Sequence, residues 1–128
     1  MDITWKYVKP LKNQNAVESF EAKYGVKFPE DMKEIFKNNN GGRPSTKYFD
    51  IASEKQHEFK SLLSFNETDV ENIFDYVLSD HKDVIPFATD PAGNLFCLYR
   101  NAIYYWKHEE DRGVFLADTF TDFLGKLY

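Results

Sequence analysis

The stretch that decides the fold is residues 85–108, IPFATDPAGNLFCLYRNAIYYWKH. It reads as a strand, a turn, a second strand, a short turn and a third strand. Asp90, Pro91, Ala92, Gly93 and Asn94 form the first turn. Proline presets φ at the second turn position, and glycine supplies the left-handed residue that short hairpin loops commonly need. Leu95, Phe96, Cys97, Leu98 and Tyr99 follow, then Ile103, Tyr104, Tyr105 and Trp106. Three strands joined by short turns make an antiparallel meander. In the middle strand both alternating faces are apolar, Leu95, Cys97 and Tyr99 against Phe96 and Leu98. A strand apolar on both faces belongs in the centre of a sheet that is covered on each side.

Working outward, Asn15 with Glu18 three residues on reads as a helix start, and Val17, Phe20 and Tyr24 form its apolar stripe. Gly25 is placed to end it. Pro29 opens a second helix with Glu30 and Asp31 at its positive end and Met32, Ile35 and Phe36 inward. Three asparagines and two glycines, residues 38–42, stop it. Residues 48–51 read as a strand, residues 52–58 as a polar loop, and residues 59–65 as containing another strand. Thr68 and Glu71 form a capping box for a third helix, whose apolar face is Val70, Ile73, Phe74, Val77 and Leu78. A charged turn at residues 109–113 precedes a strand over 114–117. A C-terminal helix starts near Asp118 or Thr119, with Phe120, Phe123, Leu124 and Leu127 inward. The pattern predicts an α+β fold: one domain over residues 1–128, with a mainly antiparallel central sheet and flanking helices.

The chain is long enough for one core, and its 12 Phe, 8 Tyr and 2 Trp supply the area to build it. Residues 1–12 carry no charged-then-apolar leader, and no apolar run approaches the ~18 residues of a membrane span. With a single cysteine, Cys97, no internal disulfide forms. A cytoplasmic protein is expected.

Charge is uneven. Residues 1–47 hold nine Lys/Arg and six Asp/Glu, net +3; residues 48–128 hold seven and fifteen, net −8. Ordinary solubility accounts for this, and so does a surface that steers a basic partner while repelling phosphate backbones. Two acidic sets stand out. Glu67, Asp69, Glu71 and Asp75 surround the expected third helix start; Glu109, Glu110 and Asp111 occupy a hairpin tip. Helix-dipole pairing and a solvated turn explain them locally. With a basic partner they become the candidate contacts.

Other chemistry finds little footing. His57, His81 and His108 lack metal-ligand spacing. Cys97 lies in an apolar strand, where a core thiol is expected rather than a nucleophile. No phosphate loop or nucleophile elbow is present. Tyr104, Tyr105 and Trp106, with only Arg100 and Lys107 nearby, read as buried core rather than a nucleic-acid platform. No cofactor, metal or membrane is implied.

Three segments in order resemble the SUKH superfamily, named for the yeast Smi/Knr cell-wall regulators. The first is the helix pair with Gly25, Pro29, Gly41 and Gly42, similar to that family's acidic helix, its proline step and its "N-G-G" end. The second is Ile85, Pro86, Phe87, Ala88, Asp90, Gly93 and Asn94, similar to "I-P-hydrophobic-A-x-D-x-x-G-N". The third is residues 103–108 with Ala117, Asp118, Thr119, Phe120, Phe123 and Leu124, similar to "V-x-x-W-x-H" and "A-x-S-F-x-x-F-L", with Thr119 in place of serine. Residues 43–84 match by position and helix only. The resemblance implies a sheet-and-helix fold without known catalysis. It also implies an immunity protein that binds and silences a cognate polymorphic toxin, often a nuclease. Monomer and homodimer are both compatible with the sequence. The alternative is a regulatory scaffold of the yeast-regulator type. A small hydrolase using His108 and Asp90 is a distant third.

Overall fold

The computed structural model describes residues 3–110 and 112–128. In chain order the elements are β1 (Trp5–Lys6), α1 (Ala16–Tyr24), α2 (Glu30–Asn38), β2 (Arg43–Pro44), β3 (Tyr48–Ile51), β4 (Glu54–Glu58) and β5 (Ser61–Leu62). A 3-10 turn (Ile73–Tyr76) then leads to β6 (Ile85–Thr89), β7 (Leu95–Tyr99), β8 (Ala102–Lys107), β9 (Arg112–Ala117) and α3 (Phe120–Gly125). Strands β5 to β9 form one antiparallel sheet in sequence order, so β7 is central, as its two apolar faces require. The α+β reading holds.

Each hairpin follows from its turn residues. Gly93 takes φ 90° between β6 and β7. Arg100 and Asn101, both at positive φ (49° and 63°), join β7 to β8 in the conformation whose twist matches the flanking strands. Pro86 sits where the β6–β7 register shifts, a bulge at which a missing N–H does little harm.

The two faces of the sheet are covered differently. Phe96, Leu98, Ile103 and Tyr105 face the helices, in a core with Phe20, Phe28, Phe36, Phe120 and Phe123. On the other face Leu95 and Cys97 pack with Val84, Tyr76 and Leu78 from the segment before β6. Burial pushes the Cys97 thiol up, so it stays protonated in the core.

Three local expectations change. Most of residues 52–58 is strand rather than loop: after a turn at 52–53, β4 pairs with β3, and the His57 ring stacks on Phe49 at 5.5 Å. Asn15 precedes α1 but makes no side-chain cap bond; Glu18 instead reaches Lys33 at 3.2 Å on α2. The third helix does not form. Ser64 donates its N–H to the Glu71 carbonyl (2.9 Å) and accepts from the Ile73 N–H (2.8 Å), a parallel bridge that holds this backbone extended. Asn72, not Thr68, then caps a short 3-10 turn by accepting from the Asp75 N–H at 3.1 Å. Local side-chain bonding by Asx residues competes with helix here and wins. Val70, expected inward, is 91% exposed, whereas Ile73 is buried.

One buried side chain ties these parts together. Asn40, just beyond α2, donates to the Lys9 carbonyl (2.8 Å) and to Ser64 Oγ (2.9 Å), and accepts from the Phe65 N–H (2.8 Å). Asn40→Ala strands the buried Phe65 N–H and frees two acceptors. Urea unfolding should show a loss of about 2–4 kcal/mol, well beyond that of a surface substitution.

Candidate interaction surface

The turn after β6 is a hydrogen-bonded lock. Asp90 Oδ1 accepts from the N–H groups of Ala92 (2.9 Å) and Asn94 (2.7 Å). Its Oδ2 accepts from the Asn94 amide (3.0 Å) and from the Tyr105 hydroxyl. Burial and the Asp90 carboxylate push the Tyr105 phenol up, so it remains a donor. Asn94 Oδ1 in turn accepts from the His108 N–H (3.1 Å) and lies 2.7 Å from His108 Nδ1. An amide oxygen only accepts, so Nδ1 carries the proton. His108 is thus held by an amide, and its bonds run to Asn94 rather than to the Asp90 carboxylate. A histidine–carboxylate couple for general-base work is not assembled by these bonds. Among the described residues no group of three or more His, Cys, Asp or Glu is placed to hold a metal ion.

The predicted acidic contacts divide into two kinds. Asp69 accepts from Ser64 Oγ (2.6 Å) and from the Asn66 amide (3.1 Å). Ser64's hydroxyl is the main reason its carboxyl sits below the usual range, with Asn66, Lys12 and Lys9 adding to the effect. Glu71 pairs with Lys60 at 2.8 Å and accepts from Thr89 Oγ1 at 3.2 Å, and Lys60 holds its carboxyl low. Asp75 accepts from the Asn72 amide at 2.9 Å. These three brace the segment that follows β5 and leads into the cover over Leu95 and Cys97 of β7. Glu67, Glu109 and Glu110 are exposed, with Glu110 lying 3.8 Å from Lys107 and 3.7 Å from Arg112. Asp111 lies outside the described residues.

A further surface lies on the half of the second sheet face that residues 66–84 leave open. Cross-strand pairing puts Tyr104 opposite Phe115 and Trp106 opposite Gly113. Tyr99 meets Tyr104 edge-on at 5.5 Å, Tyr104 meets Phe115 at 5.7 Å, and His81 meets Trp106 at 5.2 Å. Phe115 is 51% exposed. Reading Tyr104, Tyr105 and Trp106 together as core was right only for Tyr105. Strict alternation separates Tyr104 and Trp106 from it, and that was the available signal. Gly113 makes the arrangement possible: a Cβ there would stand 3.0 and 3.1 Å from Cε3 and Cζ3 of Trp106.

A five-stranded antiparallel sheet, backed by helices on one face and a looped cover on part of the other, defines a small α+β sheet-and-helix protein. The model of the SMI1 / KNR4 family (SUKH-1) matches residues 13–126, and the chain belongs to that family. The family is associated with immunity proteins of toxin systems, and its members are generally binding proteins rather than enzymes. No curated protein matches the chain. Among the described residues no helix is long and apolar enough to cross a membrane.

Two outcomes are expected. The folded-state carboxyl of Asp69 lies below its unfolded value, so its stabilisation is complete above that value and disappears as pH falls through the folded one. Urea midpoints should therefore drop between about pH 5 and pH 2, and Asp69→Asn should flatten part of that slope. Gly113→Ala fits its own backbone but must displace the Trp106 ring. It should shift Trp106 fluorescence in a Trp5→Phe background and cost about 1 kcal/mol in urea unfolding.

Proposed function

We propose that this chain is a cytoplasmic immunity protein that binds a cognate polymorphic toxin stoichiometrically and silences it without a cofactor. The toxin's active part, in this reading, is a basic nuclease domain. Family membership over residues 13–126 carries the proposal. The net charge of −8 over residues 48–128 supports a basic partner, because complementary charge accelerates encounter and disfavours wrong partners. Glu67, Glu109, Glu110 and Asp111 serve as the steering set. Asp69, Glu71 and Asp75 hold in place the segment that presents Glu67.

The test takes the C-terminal toxin domains encoded beside this protein's gene and measures complex formation and nuclease activity together. A one-to-one complex with loss of nuclease activity is expected for one of them. Glu109→Lys with Glu110→Lys should slow association roughly tenfold at low salt and much less at high salt. Undiminished nuclease activity for every such domain at excess protein would overturn the reading. Recovery of several unrelated signalling proteins by the same bait would favour the regulatory scaffold instead.

A further inference from the structure

The open sheet face contains a cavity of about 350 Å³ between strands β7 and β8 and the loop at residues 81–84. Its walls are the rings of Tyr99, Tyr104 and Trp106, with His81 against Trp106 and the exposed Asp83 at the rim. Aromatic faces alone would accept any flat or apolar group. The carboxylate narrows the choice. An apolar occupant would take water from Asp83 without offering it a donor, which is unfavourable. A nucleotide would bring its phosphate toward the Asp83 carboxylate.

A guanidinium satisfies both kinds of wall. It stacks on aromatic faces through its planar cation and directs a fork of N–H donors at a carboxylate. The protein already shows one half of this pairing on the same face: the guanidinium of Arg100 lies 5.1 Å from the centroid of Tyr99. Phe115, half exposed beside Tyr104, continues the apolar surface beyond the cavity toward the edge strand β9.

We propose that this aromatic cavity receives an arginine side chain of a basic protein partner, stacked on Tyr104 and Trp106 and paired with Asp83. The inference deepens the immunity reading and takes the nature of its partner from it, while the chemistry of the cavity stands apart from any toxin. An arginine anchor of this kind, largely removed from water, is the sort of contact that dominates the energy of an interface.

The test needs no toxin. The indole N–H resonances of Trp106 and Trp5 are followed in a ¹⁵N-labelled sample during titration with the peptide acetyl-Gly-Arg-Gly-amide. The same peptide with citrulline replaces the guanidinium by an uncharged isostere. A saturable shift of Trp106 with Trp5 unmoved is expected, at an affinity roughly tenfold above that of the citrulline peptide. Asp83→Asn changes an exposed side chain and should cut the arginine affinity by a similar factor while sparing the citrulline affinity. No shift of Trp106, equal affinities for the two peptides, or an Asp83→Asn variant that binds arginine normally would each overturn the assignment. Neutralisation of a toxin by Asp83→Asn at wild-type strength would remove the cavity from the interface and leave the immunity reading standing. Peptide binding without any neutralised toxin would do the reverse.

Discussion

The side chain of Asn40 is the point on which the rest of the arrangement depends. It is buried, yet its three bonds reach two stretches distant in sequence: Lys9 before α1, and the Ser64 hydroxyl and Phe65 backbone just after β5. Ser64 extends the network by donating to Asp69 and accepting from the Asn66 N–H at 3.0 Å. Asn66 closes it, donating to the Pro10 carbonyl (3.0 Å) and accepting from the Lys12 N–H (2.9 Å). A buried polar group is costly unless satisfied, so the members of this network hold one another to one geometry. That geometry seats the N-terminal stretch against the end of α2 and fixes where the segment leading to the cover over β7 begins.

The sheet was legible because its chemistry is local. Gly93 after a proline, with a short apolar strand on either side, marks a hairpin whatever surrounds it. The same holds for α3, where Thr119 accepts from the Asp122 N–H at 3.0 Å in the expected cap. Residues 68–78 were misread for the opposite reason. Their capping box and apolar face satisfy every local rule for a helix. What decides them is Ser64, whose backbone bonds to Glu71 and Ile73 come from a strand end several residues upstream. Most of the apolar set still packs: Ile73 is buried, Phe74 and Val77 meet the main core, and Leu78 joins the second cluster. Apart from Val70, pattern identified which residues turn inward, and tertiary bonding chose the backbone that delivers them.

A similar division runs through the acidic residues. In sequence, Asp69, Glu71 and Asp75 are indistinguishable from Glu67 or Glu109, since all are carboxylates in polar surroundings. In the fold, the first three accept bonds from Ser64, Lys60 and Asn72 and act on the architecture. Charge counted along a chain measures the far field that steers encounter. Which carboxylates can meet a partner at contact depends on which ones the protein already uses.

The sheet face carries this one step further. Helices α1 to α3 and the Phe-rich core back one side of β7 and β8, which fixes Tyr105 and, through Asp90 and Asn94, the end of the hairpin. Because side chains alternate, fixing Tyr105 on the inner face also fixes the backbone under Tyr104 and Trp106 on the outer one. Gly113 then leaves room for the indole to settle on the neighbouring strand. The outer aromatics therefore stand on the most heavily braced part of the molecule while keeping part of their surface in water. Such groups lose little further freedom on meeting a partner, and that preorganisation converts modest contact area into affinity.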